Sequence, residues 1–541
     1  MQWFSESARS PGGDCLAVSL VTEKKLTPFV EALARHARAT PKRLALRCGF
    51  GDEALTTDYA ALWRRVERVG GHLRETWRIA PGDRVACLGL NDELQLALLF
   101  ACARAGAIFL PLNFRLAVPE LAAIVRHAGV RVLWFDAVHR DAARQIRDLL
   151  EQDAITDLPP PAIAPIDGLI AVPSVKPVDY PDVSADAPVL LAYTSGTTGE
   201  PKGALHTQAG LLANAEASWW SHDMRADDHI LSTLPMFHVG GLCIQTLPAL
   251  LCGASVTLHP RFDPAAWLAD VARHRPTLSL MVPATMRAVQ THAAWGPSDL
   301  SSLRGVMAGS SVVPMSAIDA FHARGIPLGQ VYGATETGPV SIALRFGEAK
   351  AHPGAVGRAC PGVEVRLVDP AGQDVSPGDV GEILVRAPNV MREYWRAPGH
   401  VSFAEGWFHS GDLARLRVDG CFEVVGRSKD MIISGGENIY PAEIENALVD
   451  CPGVLEASVV GVPDERWGEV PVAVVVATPQ AGATQTSVLD FLGTRIARFK
   501  LPRRVVIFES LPKSALGKVQ KPILIEWLSD APNSQMTTKS R

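Results

Sequence analysis

Between Arg84 and Asp136 short apolar runs alternate with segments of helix length, and this order constrains the fold more than any other feature of the chain. RVACLGL (Arg84–Leu90) has the length of a strand, and ELQLALLFACARAG (Glu93–Gly106) reads as a helix ended by glycine. AIFLPLN follows as a strand, VPELAAIVRHAG as a helix with Pro119 near its start, and VRVLWFD as a third strand. Parallel neighbours need a crossover long enough to hold a helix. A βαβαβ order therefore predicts a largely parallel sheet covered by helices on both faces.

The remaining chain divides by texture. Eight prolines between Leu158 and Pro188 predict an irregular surface connection between two lobes. VLLAYTSGTTG then supplies a strand, Val189 to Tyr193, and a second alternating region runs to about residue 340. Turn-rich strands follow (VEVRLVD, GEILVRA, CFEVVG), as in a small β-barrel or sheet. After Gly426 the order is helix PAEIENALVD, strands LEASVVGV and VPVAVVVA, helix TSVLDFLGTRIARF and strand RRVVIFES, a compact α+β unit. The expected fold is α/β. Residues 1–428 hold two parallel-sheet lobes plus the small β-barrel, residues 429–528 a small mobile α+β domain, and residues 529–541 a disordered polar tail. A length of 541 residues, at about 150 per domain, leaves room for about three or four such units.

Composition excludes several classes of function. A net charge of −5 gives nucleic acid no electrostatic footing as the main partner. Nine scattered cysteines, none in a C-x-x-C pair, read as buried small hydrophobes in a reducing compartment, which implies a cytoplasmic protein. MQWFSESARSPGG lacks the basic start and apolar core of a signal peptide. Val239 to Leu258 carries no charge and is long enough to span a bilayer, but Gln245, Thr246, Pro248, Gly253 and Ser255 fit a buried helix followed by a strand. No integral membrane insertion is expected.

One loop carries chemistry on its face. YTSGTTGEPKGALH (Tyr193–His206) is not a Walker loop: counting from Gly196, Pro201 stands where the second glycine belongs, and Gly203 replaces the magnesium-binding hydroxyl. A strand running into consecutive Gly and Ser/Thr residues still exposes N–H groups and hydroxyls in one concave turn, a nest for phosphate oxygens. Lys202 adds a point charge, and Gly196, Gly199 and Gly203 allow close backbone approach. Four more strings follow in order: YGATETGP (Tyr332–Pro339), WFHSGDL (Trp407–Leu413), GRSKDMIISGGENIYP (Gly426–Pro441) and LPKSALGKVQK (Leu511–Lys521).

In order and spacing these five strings resemble the acyl-adenylate-forming superfamily of acyl-CoA synthetases, aryl-CoA ligases, peptide-synthetase adenylation domains and beetle luciferases, over about residues 25 to 525. The resemblance implies an AMP-forming acid–CoA ligase that uses ATP, Mg²⁺ and coenzyme A. Thr194, Ser195, Gly196, Thr197, Thr198, Gly199 and Lys202 would cradle the β- and γ-phosphates. Glu336 would bind Mg²⁺, a hard cation that prefers oxygen ligands, and Thr335 would touch the α-phosphate. Tyr332, with Gly333 and Ala334, would lie against adenine, and Gly309, Ser310 and Ser311 would form the opposite wall. Asp412 and Arg427 would hold the ribose, since an ionised carboxylate accepts from two hydroxyls. Lys518 would bridge the substrate carboxylate and the α-phosphate. His238 would stand where the acyl and thiol tunnels meet. Lys429 matches the hinge position, Gly435 and Gly436 would line the pantetheine tunnel, and Trp467 would contact coenzyme A. Arg498, Lys500, Arg503 and Arg504 are weaker candidates for its phosphates.

The acid and its acceptor stay more open. Met236, Val239, Gly240, Met281, Ala308 and Ala334 are apolar or small, which suits a medium- or long-chain fatty acid or an aromatic, hydroxycinnamate-like acid. Arg287 keeps a small dicarboxylate open, a stand-alone adenylation enzyme loading a carrier protein is an alternative, and a homodimer is compatible with either. A catalytically dead relative would be expected to lack Glu336, Lys202 or Lys518, and all three are present.

Overall fold

The computed structural model describes residues 26–152, 160–169, 178–194, 202–309, 313–435, 437–478, 482–513 and 518–529. The βαβαβ segment forms the middle of a seven-stranded sheet. Its order is Glu393–Tyr394, Lys202–Thr207, Pro188–Thr194, Ile108–Leu112, Arg84–Leu88, Val130–Phe135 and Ala162–Pro165. The last five strands are parallel, and the first two add antiparallel pairs at one edge. The proline-rich connection is less irregular than expected, because Ala162–Pro165 extends this sheet beside Val130–Phe135.

A second sheet has nine strands in the order Arg358–Ala359, Ile342–Leu344, Leu328–Tyr332, Gly305–Gly309, Leu278–Met281, His229–Ser232, Ser255–Leu258, Leu44–Cys48 and Leu55–Asp58. Its six central strands are parallel and its edges antiparallel. One hydrophobic core joins side chains of both sheets and is threaded by the helix Glu93–Ala105. Asp92 caps that helix by accepting the Leu94 N–H at 2.8 Å, and Gly106 ends it at φ 71°. Every residue of the helix except Arg104 is buried, which explains the unbroken apolar run Leu96–Ala103.

The turn-rich segment pairs as a five-stranded antiparallel sheet, Glu364–Val368, Val380–Arg386, Trp407–Leu416 and Phe403–Ala404, with Phe422–Arg427 also on Trp407–Leu416. Beyond it lies the small unit. Val454–Asp464 and Gly468–Ala477 form a long hairpin, Arg504–Phe508 joins in parallel, and Pro441–Val449 and Gln485–Gly493 are its helices. The second helix is shorter than TSVLDFLGTRIARF predicts: it stops at Gly493, and Arg498–Lys500 is a separate single turn. Glycine is a poor helix continuer, and the following Thr494 hydroxyl bonds back to the Phe491 carbonyl at 2.9 Å.

The uncharged stretch from Val239 is helical to Cys252 and then turns into the strand Ser255–Leu258. No helix among the described residues is long and apolar enough to cross a membrane. The eight described cysteines are all free. The expected disordered tail, apart from Ser529, lies outside the described residues.

Candidate active site

Parallel sheets present ligands at the carboxyl ends of their strands. The strands Gly305–Gly309 and Leu328–Tyr332 end side by side, with Gly309 paired to Val331, and so deliver Gly309 and Tyr332 to one edge. The glycines there answer to close packing. A Cβ on Gly309 would lie 2.9 Å from Val331 Cγ1, and one on Gly333 would lie 2.4 Å from the Pro339 carbonyl oxygen.

After Tyr332 and Ala334 the chain makes a single turn, Thr335–Thr337, pinned by Thr337 Oγ1 accepting the Ala334 N–H at 2.9 Å. Buried Asn389 donates from one amide nitrogen to the carbonyls of Thr337, Gly338 and Val340 at 2.9, 3.2 and 3.2 Å. Glu336 is thereby held half-buried, its carbonyl accepting the Met391 N–H at 2.7 Å and its Oε1 accepting the Tyr394 hydroxyl at 2.8 Å. Thr335 is buried beside it.

The Tyr332 hydroxyl donates to Asp412 Oδ2 at 2.9 Å, and Arg427 Nε reaches Asp412 Oδ1 at 3.1 Å. Asp412 and Arg427 are register partners on adjacent antiparallel strands, so the ion pair is built into the sheet. Gly411, at φ 70°, turns the strand just before the carboxylate, and its N–H is held by Glu382 Oε1 at 2.9 Å. Burial raises the Asp412 pKa, while Arg427, Tyr332 and Lys518 pull it down. Burial, and then Asp412, raises the Tyr332 phenol well above its usual range.

Thr194 and Lys202 are paired in register at the two ends of the glycine-rich loop. Lys202 Nζ lies 3.0 Å from His400 Nε2 and 5.5 Å from the centre of the Tyr394 ring. The His400 ring meets Tyr394 edge-on with centroids 4.8 Å apart, and His400 Nδ1 accepts the Ser402 N–H at 3.1 Å. Ser195, Gly196, Thr197, Thr198 and Gly199 lie outside the described residues, as do Ser310, Ser311 and Gly436.

Lys518 comes from the small unit. It is exposed, yet lost hydration, followed by Arg427, lowers its pKa, with Asp412 and Glu336 opposing. His238 is half-buried and accepts the Gly240 N–H on Nδ1 at 3.0 Å. Burial, and secondarily Lys518, lowers its pKa to about 4, so the ring is neutral near pH 7. Met236, Val239, Gly240, Met281 and Ala308 are buried and Ala334 is half-buried.

Gly435 has φ 60°, and a Cβ there would sit 2.5 Å from Trp467 Cε3, so the indole occupies the space a side chain would need. Trp467 in turn packs against the guanidinium groups of Arg466 and Arg503, 4.9 and 5.3 Å from its ring centre. Lys500 is paired with Glu443 at 2.6 Å, and Lys429 is exposed on the turn Ser428–Asp430. Arg287 is exposed and donates to the Leu455 carbonyl of the small unit.

The structure thus gathers Tyr332, Glu336, Asp412, Arg427 and Lys518 into one electrostatic neighbourhood. Tyr394, Asn389 and His400 are partners that no motif announced. Tyr394 lies 58 positions from Glu336, and only the pairing of Glu393–Tyr394 with Lys202–Thr207 brings it close. Glu336 is not part of any cluster of three His, Cys, Asp or Glu ligands among the described residues. A half-buried carboxylate held on Oε1 by the Tyr394 hydroxyl suits Mg²⁺, which takes one or two carboxylates together with substrate phosphates and water. The cluster that does occur, His352, Asp419 and Cys421, is satisfied internally: Asp419 Oδ2 is 2.9 Å from His352 Nδ1 and 3.0 Å from Arg417.

Comparison with known proteins accords with this geometry. The family described as AMP-binding enzyme matches residues 33–395, and the one described as AMP-binding enzyme C-terminal domain matches residues 443–518. Indoleacetate–CoA ligase of Aromatoleum aromaticum is 45% identical over 497 residues, covering 91% of this chain and 96% of its own length. Feruloyl-CoA synthase of an Amycolatopsis species is 42% identical over 496 residues, covering 90% and 96%. ATP-bound MatB from Rhodopseudomonas palustris superposes with a TM-score of 0.83 at 30% identity, covering 93% of this chain and 99% of that one.

Proposed function

This chain belongs to the AMP-binding enzyme family, and we propose that it joins an aryl-substituted carboxylic acid to coenzyme A, converting ATP to AMP and pyrophosphate through an acyl-adenylate. One observation carries the reading. The single ammonium of Lys518, on a loop of the small unit, interacts at once with Asp412, Arg427 and Glu336 of the large one. A carboxylate is a poor electrophile and repels a triphosphate, so activation needs a cation between the acid and the α-phosphate. Lys518 would be that cation, and preorganised charge of this kind contributes ~10²–10³ in rate.

The other residues divide the task. Asp412, oriented by Tyr332 and Arg427, accepts from the ribose hydroxyls, and Tyr332, at the strand edge beside Gly309 and Gly333, lies against the base. Glu336 would hold Mg²⁺, which supplies screening of phosphate charge when bound, and the Tyr394 hydroxyl fixes the carboxylate for it. Lys202 neutralises the outer phosphates. Neutral His238 lies on the acyl side and carries no charge that would repel Lys518.

Thiol attack on the adenylate needs Gly435 and Trp467 at the centre instead, and a turn of residues 429–528 about Lys429 would bring them there. The apolar lining at Met236, Val239, Met281 and Ala308, with the relatives named for indoleacetate and ferulate, supports an aromatic acid. The engagement of Arg287 by Leu455 argues against a small dicarboxylate. Free, mostly buried cysteines fit a cytoplasmic setting. The test is a panel of arylacetic, cinnamic, fatty and dicarboxylic acids assayed for CoA-dependent AMP release. Aryl acids should lead by kcat/KM. A lead for fatty acids or dicarboxylates would overturn the substrate assignment.

A further inference from the structure

His400 faces two hydrogen-bond donors and has a lone pair for only one of them. Its Nδ1 accepts the Ser402 N–H at 3.1 Å, and its Nε2 lies 3.0 Å from Lys202 Nζ. Lost hydration, followed by Lys202, lowers the pKa of the ring, with Glu336 opposing, so the ring is neutral near pH 7. A neutral imidazole carries one N–H and one acceptor nitrogen, and a lysine ammonium has donors alone. The Ser402 N–H is set by the backbone, so it holds the lone pair on Nδ1 and the ring proton on Nε2. The Nε2–H and the Lys202 ammonium therefore meet donor to donor.

Neighbouring contacts fix the place of this pair. Lys202 opens the strand Lys202–Thr207, in register with Thr194 at the end of Pro188–Thr194. The Tyr394 ring touches both groups: the His400 ring meets it edge-on with centroids 4.8 Å apart, and Lys202 Nζ is 5.5 Å from its centre. The hydroxyl of the same tyrosine donates to Glu336 Oε1 at 2.8 Å. One aromatic side chain thus joins Lys202, His400 and the carboxylate assigned to Mg²⁺. Lys202 and His400 are both half-buried, so neither is sealed from solvent. An anionic oxygen would accept from both donors at once and end their conflict, and the ammonium, on its flexible four-carbon stem, can turn to share it.

We propose that His400 is a second donor to the outer phosphates of ATP, forming with Lys202 a two-point clamp that keeps its hold on pyrophosphate after cleavage. The ring gives a hydrogen bond from Nε2 and transfers no proton. The proposal rests on the adenylation reading, in which Lys202 meets these phosphates, and it adds a residue that lies outside all five motif strings.

The experiment titrates the full-length enzyme with ATP, pyrophosphate and AMP, each in the presence of Mg²⁺. His400→Leu should weaken ATP and pyrophosphate about 10–100-fold, the worth of one hydrogen bond to a charged group. It should leave AMP unchanged, since AMP has no outer phosphates. His400→Gln, whose amide carries an N–H into the same region, should recover most of the lost affinity. A merely structural role would move all three ligands together, and that result would overturn the proposal. So would an ATP affinity unchanged in His400→Leu, or a His400→Gln variant no better than His400→Leu. None of these results touches the adenylation reading, which stands on acid-dependent pyrophosphate release by the wild type. A wild type that binds AMP but neither ATP nor pyrophosphate would remove both, and it would do so before any variant is made.

Discussion

Asp412 and Lys518 carry opposite charges that interact across the site, yet they are held in different ways. Asp412 sits within the strand Trp407–Leu416, paired with Arg427 on the next strand and bonded to Tyr332 from a different sheet. Its side chain is 13% exposed. Lys518 lies outside any helix or long strand, is exposed, and stands next to Val519, which bridges to Lys513. Glu336 follows the first pattern, fastened by Asn389, Met391 and Tyr394, and Lys429 follows the second. On the proposed mechanism, the groups that would bind the nucleotide throughout the reaction are fixed by bonds between distant parts of the large unit, and the groups that would be needed for one half-reaction are carried on the small unit.

That contrast can be broken by half-reaction assays. Lys518→Ala should reduce acyl-AMP formation by ~10²–10³, read as acid-dependent pyrophosphate release, while supplied acyl-AMP and CoA still give thioester. Equal loss in both halves would mean that Lys518 is as permanently engaged as Asp412. Tyr332→Phe removes one hydrogen bond to a charged group, worth about 1.5–3 kcal/mol. It should weaken ATP binding about 10–100-fold, read by titration of the free enzyme, and should affect both halves. Lys429→Pro fixes φ at the turn between the units. It should leave acyl-AMP formation intact and slow transfer to CoA about tenfold, a barrier of ~1.4 kcal/mol. Pyrophosphate release slowed as much as transfer would place no hinge there.

A smaller effect sharpens the comparison from another side. His206, His222 and His238 have pKa values lowered by burial to about 4, against 6.5 when unfolded. Between pH 6.5 and about 4 the unfolded chain binds more protons, so this stability is complete above pH 6.5 and is lost as pH falls. All three lie in the large unit, and the chain has no histidine after His409. Acid should therefore loosen the large unit first. Hydrogen exchange at pH 7 and pH 5 checks this, with faster exchange at the lower pH, corrected for intrinsic rates, expected around the helix Gln208–His222 and not in Gly468–Ala477.

The sequence was informative wherever a function needs neighbouring residues. The alternation from Arg84 to Asp136 announced the parallel sheet, because each step of the pattern is local. Tyr332, Glu336, Asp412 and Lys518 stood out because each sits in a short string of glycines and hydroxyls. Tyr394 and Asn389 did not, since their roles exist only once the turn Thr335–Thr337, 58 and 52 positions away, is folded beside them. The helix end at Gly493 was missed for the opposite reason: an apolar period continues through Ile496 after the backbone has stopped being helical. His400 lies outside every motif string, and the two donors that face its ring needed the packed structure.

The central claim, that the chain activates an acid by adenylation before passing it to a thiol, is tested most directly by its nucleotide product. Purified enzyme supplied with ATP, Mg²⁺, an aryl acid and CoA should yield AMP, pyrophosphate and aryl-CoA in equal amounts, and without CoA it should form acyl-AMP and pyrophosphate alone. ADP and inorganic phosphate as the nucleotide products would contradict the account.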